Sequence, residues 1–161
     1  MAISGDVYKR VGRASAGAVS VVTAFDKEGT AVVALTVSSF VTLSFDPPLV
    51  MFAIQTNANS YPSMIESSAF GVSLLASTQA AIAQRFAGKE PSKTVGVAFD
   101  RGETLAVPLV PGSLAQIECL TREIFLSGDH AIIVGLVEAA RTSEGLPLLY
   151  FERQYGSFKP L

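Results

Sequence analysis

The sequence predicts a mainly β protein: an antiparallel barrel, closed or partly closed, of six or seven strands with two or three short helices at its periphery. Three observations carry this reading. Apolar runs rich in Val and Thr outnumber the segments with helical spacing. Most consecutive runs are joined by tight turns, which link antiparallel strands. The regular strand–helix alternation of a parallel α/β sheet is missing.

Taken in order, the chain starts with a short helix from about Ser4 to Ala14. Ser4 is its cap, and Val7 and Val11 share one face. "AVSVVTAFD" reads as a strand and "DKEG" as a turn ending in Gly29. "TAVVALTVSSFVTLSF" then returns as one long strand, completing a hairpin. "DPP", Asp46 to Pro48, breaks it. "LVMFAIQ" is a continuous apolar strand covered on both faces. "TNANSYPSMIESS" opens a helix, with Asn59 or Ser60 as cap and Pro62 in the first turn.

"FGVSLL" is another short strand. "STQAAIAQRFAGK" is a helix capped by Ser77 or Thr78, with Ile82 and Phe86 on one face and Gly88 at its end. Lys89 to Gly112 is irregular, and a connection of that length suggests a functional segment such as a lid. "SLAQIECLTREIFL", the turn "SGDH" and "AIIVGLVEAART" form a second long hairpin. "GLPLLYFERQY" adds one more short strand.

The 161 residues suit a single domain over positions 1–161. With 49% apolar and 16% charged residues, the chain is apolar for a monomer of this size, so some surface is expected against a second subunit or a ligand. A net charge of −2 with no basic stripe argues against nucleic acid. The start, "MAISGDVYKRVGR", has no apolar signal-peptide core, and no run reaches the ~18 apolar residues of a membrane helix. A soluble cytoplasmic protein is expected. The lone cysteine, Cys119, lies in "LAQIECL" and reads as a small buried hydrophobe rather than a nucleophile.

Several chemistries have no support. No Gly-x-Gly-x-x-Gly links a strand to a helix, and there is no phosphate loop of the Walker type. One histidine and one cysteine exclude a zinc site built from them, and no metal site is expected. No Gly-x-Ser-x-Gly elbow is present, and the carboxylates form no evident acid–base pair. An enzyme of this composition borrows its hard chemistry from a bound cofactor.

Three polar islands interrupt the apolar fabric. The first is Thr36–Ser39, inside an apolar run. The second is Thr56–Ser60, "TNANS", before a helix N-terminus. The third is Gly128–His130, "GDH", in a hairpin turn. Singly, each has a plain reading: the wet face of a strand, helix capping, and an exposed turn histidine. Arg85 and Phe86 likewise read as an exposed charge and a core aromatic on a periodic helix.

Their order along the chain says more. "LTVSSF" with "S-x-DPPL", then "NSYPSMIESSAFGVSLL", "RFAGK", "LAQIEC", "GDH" and "PLLYFERQY" resemble the flavin reductase family from about Gly17 to Tyr155. These are the reductase components of two-component flavin-dependent monooxygenases. The resemblance implies an antiparallel split β-barrel (Greek-key, six to seven strands) that is homodimeric and binds FMN or FAD without a covalent bond. It implies oxidation of NADH or NADPH and delivery of reduced flavin to a partner monooxygenase. By the same match, Thr36, Val37, Ser38 and Ser39 border the isoalloxazine ring, and Ala53 joins the cofactor-binding set. Asn57, Asn59 and Ser60 fall at the ribityl chain and phosphate, and Arg85 and Phe86 at a second flavin contact. His130 falls beside the nicotinamide, with Tyr150 and Tyr155 near the same pocket.

Three departures from the family pattern stand out. "AVVA", Ala31–Ala34, replaces a common glycine and implies a narrower near edge. Ser73 stands where the family often has Asn. "PSKTVGVAF" lacks the family's Asp-Lys-Phe, leaving Lys93 as phosphate partner and Lys89 as its rival. Two other readings stay open: a barrel that keeps its flavin as a fixed prosthetic group, and a non-catalytic flavin-binding dimer.

Overall fold

The computed structural model describes residues 3–90 and 92–161. Its elements, in chain order, are α1 (Gly5–Ala14), β1 (Gly17–Ala18), β2 (Ser20–Phe25), β3 (Val32–Val37), β4 (Val41–Phe45), β5 (Pro48–Gln55), α2 (Tyr61–Glu66) and β6 (Ala69–Leu74). There follow a 3-10 turn (Ser77–Gln79), α3 (Ala80–Ala87), β7 (Asp100–Arg101), β8 (Pro108–Leu109), β9 (Ala115–Ser127), β10 (His130–Thr142), β11 (Leu148–Phe151) and β12 (Gln154–Ser157). The class expected from the sequence, mainly β and antiparallel with two or three short helices, is the one observed, with three α-helices among the described residues.

Seven strands form the main sheet in the order β3-β2-β6-β9-β10-β5-β4, every pairing antiparallel. β3 and β4 are thus consecutive in the chain yet lie at opposite edges of the sheet. The link Ser38–Phe40 can span at most ~14 Å between Val37 and Val41. A flat sheet of this order would hold its edges roughly 29 Å apart. The sheet must therefore curl until its edges meet. The stretch expected as one long strand breaks at Ser38–Phe40 for this reason: the chain has to leave one edge and join the other.

Ser39 fastens the seam. Its Oγ accepts from the Ala53 N–H at 2.9 Å and donates to the Ala53 carbonyl at 3.2 Å. The β4–β5 ladder stops at Met51, so beyond it Ser39 serves β5 in place of a strand partner.

Two apolar layers flank β2, whose residues Ser20–Ala24 are all buried. One layer gathers Val22, Leu35, Val37, Phe52, Ile54, Phe70 and Ile133 with Met64 of α2. Phe52 and Phe70 meet edge to face at 5.3 Å. The other holds Val19, Val21, Ala34 and Leu148 against Ala83 and Phe86 of α3. Gly135 in β10 lies against the Phe70 ring so closely that a Cβ would collide with it. A bulge sits at this same position, between Val134 and Gly135.

Several local expectations are corrected. Ser4 does cap α1, accepting from the Val7 N–H at 3.4 Å, but Val7 and Val11 are exposed and no α1 residue is buried. Ser60 holds the N-cap position of α2 without a side-chain bond, and the Asn59 amide instead donates to the Lys89 carbonyl at 2.8 Å. Ser77 and Thr78 do not cap α3. They lie in the 3-10 turn, and the Gln79 side chain accepts from the Ala76 N–H at 2.9 Å. The closing segment forms two strands, β11 and β12, which with β1 make a second small sheet. His130 is the first residue of β10 rather than part of the turn.

The long connection after α3 is tied down rather than hanging as a lid. Arg85 Nε donates to the Lys93 carbonyl at 2.6 Å and its terminal nitrogen to the Val95 carbonyl at 2.5 Å. Phe99 stacks on Phe86, centroids 5.9 Å apart. The buried Glu118 carboxylate accepts from the Thr104 and Leu105 N–H groups, and buried Ser73 Oγ accepts from the Val110 N–H at 2.9 Å. Ser73 therefore anchors this segment. "PSKTVGVAF" begins at Pro91, which lies outside the described residues.

Ser39→Ala is expected to lower the unfolding free energy by about 1–2 kcal/mol, because both Ala53 backbone groups lose their partner. Ser38→Ala, at an exposed position, should change it by less than about 0.5 kcal/mol. Coincident urea midpoints for the two variants would refute the seam. Cys119 is fully buried, and burial, followed by the adjacent Glu118 carboxylate, pushes its thiol up to about 12. A raised folded value adds stability below the ordinary 9.0 that is lost as pH climbs toward 12. The wild type should lose stability across that window more steeply than Cys119→Ala. Parallel pH profiles would contradict the burial argument.

Candidate functional site

Strand β3 is the free edge of the seven-stranded sheet, so alternate backbone N–H and C=O groups along it lack a strand partner. It faces a cavity of about 450 Å³, within the ~300–1,000 Å³ typical of small-molecule sites. Three stretches meet there: Leu35–Ser39, Ala53–Ser60 and Phe86–Lys89, with Lys93 and His130 at the margin. Leu35, Ile54 and Phe86 give it an apolar floor, and hydroxyls and amides give it a polar rim. Among the described residues lining it there is no carboxylate, while two lysines contribute positive charge. Such a cavity suits a flat, largely apolar ring system carrying an anionic tail.

The three hydroxyls of the first polar island have different duties. Thr36 Oγ1 donates to the Ala83 carbonyl at 2.7 Å and fixes α3 against β3. Ser39 closes the seam. Ser38 is exposed and retains a hydroxyl facing the cavity region. Any ligand at this edge therefore meets backbone groups and Ser38 more than the other two hydroxyls.

The second and third islands are one unit. The Asp129 carbonyl accepts from both the N–H and the hydroxyl of Thr56, at 3.0 and 3.2 Å. The His130–Gln55 pairing continues the contact into the sheet. His130 Nδ1 lies 2.7 Å from an Asp129 carboxylate oxygen. That hydrogen bond, then the charge of the ring, holds the Asp129 carboxyl below its ordinary value. In the neutral ring, an Nδ1–H donated to the carboxylate leaves Nε2 as the acceptor.

Lys93 Nζ donates to the Phe86 and Gly88 carbonyls at 2.9 and 3.2 Å, capping the C-terminus of α3. Desolvation pushes its pKa down. Its ammonium is engaged by the protein, which favours Lys89 as the cation facing a ligand. Asn59 spends one donor on the Lys89 carbonyl, whereas Ser60 has no capping bond.

A second cavity, about 190 Å³, abuts the first. Thr36, Val37, Ser38 and Ala87 line both, and Val19, Tyr150 and Tyr155 complete it. The two tyrosine rings are tilted at 54° with centroids 5.3 Å apart. Burial, and next the neighbouring Tyr150, raises the Tyr155 phenol, which therefore stays neutral near pH 7.

Of the residues singled out from the sequence, the first cavity gathers Thr36, Val37, Ser38, Ser39, Ala53, Asn57, Asn59, Ser60, Phe86, Lys93 and His130, and the second gathers Tyr150 and Tyr155. Arg85 lines neither, because its guanidinium is spent on the 93–95 backbone. Ala31–Ala34 do not line the cavity either, so the expected narrowing does not arise there. Leu35, Ile54, Gln55, Ala58, Ala87 and Gly88 also line the cavity and were missed, although each lies within two residues of one that was chosen. A larger recess of about 710 Å³ runs between the β2–β3 turn and Ser63–Ala69. None of the singled-out residues lines it, and the Asp26 carboxylate there is occupied by the Thr30 and Ala31 N–H groups.

Comparison with known proteins accords with this geometry. Residues 12–159 match the family model described as "Flavin reductase like domain". The chain is 38% identical over 122 residues to the reductase component of 4-hydroxyphenylacetate 3-monooxygenase from Thermus thermophilus, covering 75% of this chain and 76% of the relative. It is 34% identical over 155 residues to a Rhodococcus NADH-dependent flavin reductase, covering 95% and 84%. Among solved structures, the NADH:FAD oxidoreductase SgcE6 of Streptomyces globisporus, in complex with NAD and FAD fragments, superposes with a TM-score of 0.88 at 27% identity over 99% of this chain and 98% of that one. A family model that spans nearly the whole chain, and a cavity built from the segments that carry the motifs, make this chain a member of the flavin reductase family.

Proposed function

We propose that the protein is an NAD(P)H-dependent flavin reductase, one domain over residues 1–161, that passes reduced FMN or FAD to a partner monooxygenase. The observation that carries this reading is the pair of cavities sharing the wall Thr36–Ser38. Two flat ring systems brought together at that wall would meet the main requirement of hydride transfer, which needs little else from the protein. The absence of carboxylates from the described lining fits a reaction that demands no strong side-chain acid.

The chain's own residues then have definite tasks. A bound flavin would supply the two-electron acceptor. The free edge of β3 and Ser38 would meet the polar edge of its ring, and Leu35, Ile54 and Phe86 its apolar face. Backbone N–H donors in this place stabilise negative charge as the ring is reduced. Ser60, Asn57 and Lys89 would receive the phosphate-bearing tail. His130, held by Asp129, would orient the nicotinamide from the rim, and Tyr150 and Tyr155 would exclude water from the second cavity.

The homodimer rests on exposed apolar residues. Val41, Leu43 and Phe45 of β4 and Ile124, Phe125 and Leu126 of β9 are exposed, and Phe45 is 95% so. Their strands bound one continuous stretch of sheet, β9-β10-β5-β4. A second copy would cover what a soluble monomer rarely leaves bare. We place the protein in the cytoplasm, where reduced nicotinamide is maintained. Among the described residues, no helix is long and apolar enough to cross a membrane.

The decisive assay mixes pure protein with NADH or NADPH and with FMN or FAD, and follows loss of the reduced nicotinamide absorbance. Rapid oxidation that depends on added flavin is expected. A yellow protein without turnover would point to a fixed flavin, and no flavin binding would end the reading. His130→Ala should raise KM for the nicotinamide several-fold, roughly 1 kcal/mol of lost binding, with a smaller fall in kcat. Unchanged steady-state constants would remove His130 from the site.

A further inference from the structure

A further recess, of about 230 Å³, separates the middle and the C-terminal end of α1 from the β11–β12 turn. Lys9, Arg13 and Arg153 line it, opposed by the single carboxylate of Glu152. Among the described residues, Arg13 and Arg153 have no carboxylate within 4.0 Å, and Lys9 only reaches Asp6 at 4.0 Å. Three cations therefore converge with little compensation on a chain whose net charge is −2. The negative pole of α1 accounts for Arg13 in its last turn. It does not account for Lys9, which is mid-helix, or for Arg153.

The turn that presents Arg153 is also strained. Glu152 and Arg153 both adopt left-handed backbone, φ 48° and 64°. A two-residue hairpin turn of this hand ordinarily uses Asn-Gly, which bears it without cost. Here a charged, long-chained pair occupies it, and the Glu152 N–H is pinned to the Arg13 carbonyl at 3.3 Å. Strain combined with like charge, on a turn that folding alone would fill differently, points to a ligand.

The recess is joined to the site. Tyr150 lines both it and the tyrosine-lined cavity. We infer that Lys9, Arg13 and Arg153 bind the diphosphate of the nicotinamide dinucleotide while its nicotinamide ring lies at the Thr36–Ser38 wall, between His130 and the cavity of Tyr150 and Tyr155. The inference rests on the proposed reductase function and adds where the donor's phosphates lie. Guanidinium groups in a fixed fork suit phosphate oxygens, and three of the four charged groups in the recess are cations. FAD carries the same diphosphate, so the test must separate the two dinucleotides.

The test compares the full-length wild type with the double variant Arg13→Gln, Arg153→Asn. Asn tolerates left-handed backbone, so the turn is preserved. The variant should raise KM for NADH about fivefold or more, and KM for reduced nicotinamide mononucleotide, which lacks the diphosphate, by less than about twofold. Affinity for FMN and FAD, read by fluorescence quenching, should not move. Equal NADH constants in the two proteins would overturn the inference, as would a loss confined to FAD. Calorimetry with ADP gives an answer independent of turnover: wild type binds and the variant does not. If wild type oxidises no nicotinamide, the reductase reading fails, and the ADP titration alone then decides whether the recess is a diphosphate site.

Discussion

The constraint on which the structure depends is the shortness of Ser38–Phe40. Three residues must carry the chain from one edge of a seven-stranded sheet to the other. That length forces the sheet to close on itself, brings β3 beside β5, and places the free edge of β3 against the segments before α2 and after α3. The cavity is what remains where the two edges meet without a ladder between them. Ser39 holds that approach by satisfying both backbone groups of Ala53. In this fold the step that closes the barrel and the step that builds the site are the same.

Much of this was legible in the sequence because it rests on local chemistry. Alternation and turn residues marked the strands, and the 115–142 hairpin was delimited to within a residue or two. Pro62 marked α2, and Cys119 was rightly read as core. The gathering of the polar islands was legible only through the order of motifs, since no spacing along the chain says that Asp129 will hold Thr56. The errors share a cause. The β3–β4 break, the unused caps at Ser60, Ser77 and Thr78, and the retirement of Arg85 from the site were all decided by tertiary partners. A hydroxyl or guanidinium takes whichever partner the closed barrel offers, and a sequence window cannot see it.

Burial of polar groups follows the same economy. Half-buried Thr36 and buried Ser73, Gln116 and Glu118 each hold a backbone or side-chain partner distant in sequence. Together they fix α3 and the segment 100–110 to the barrel wall. Ser20 is different: its Oγ is buried with no partner among the described residues. Nothing in the structure explains it.

The long hairpin is used unevenly. β6 pairs only with Ala115–Leu120, and β5 only with His130–Leu136. The outer half of β9, from Arg122 to Ser127, has β10 alone on one side and solvent on the other. Its bare amides stand beside Ile124, Phe125 and Leu126, with only the weak Arg122–Glu123 pair to discourage another extended chain. A newly made chain thus carries an aggregation-prone edge until something covers it.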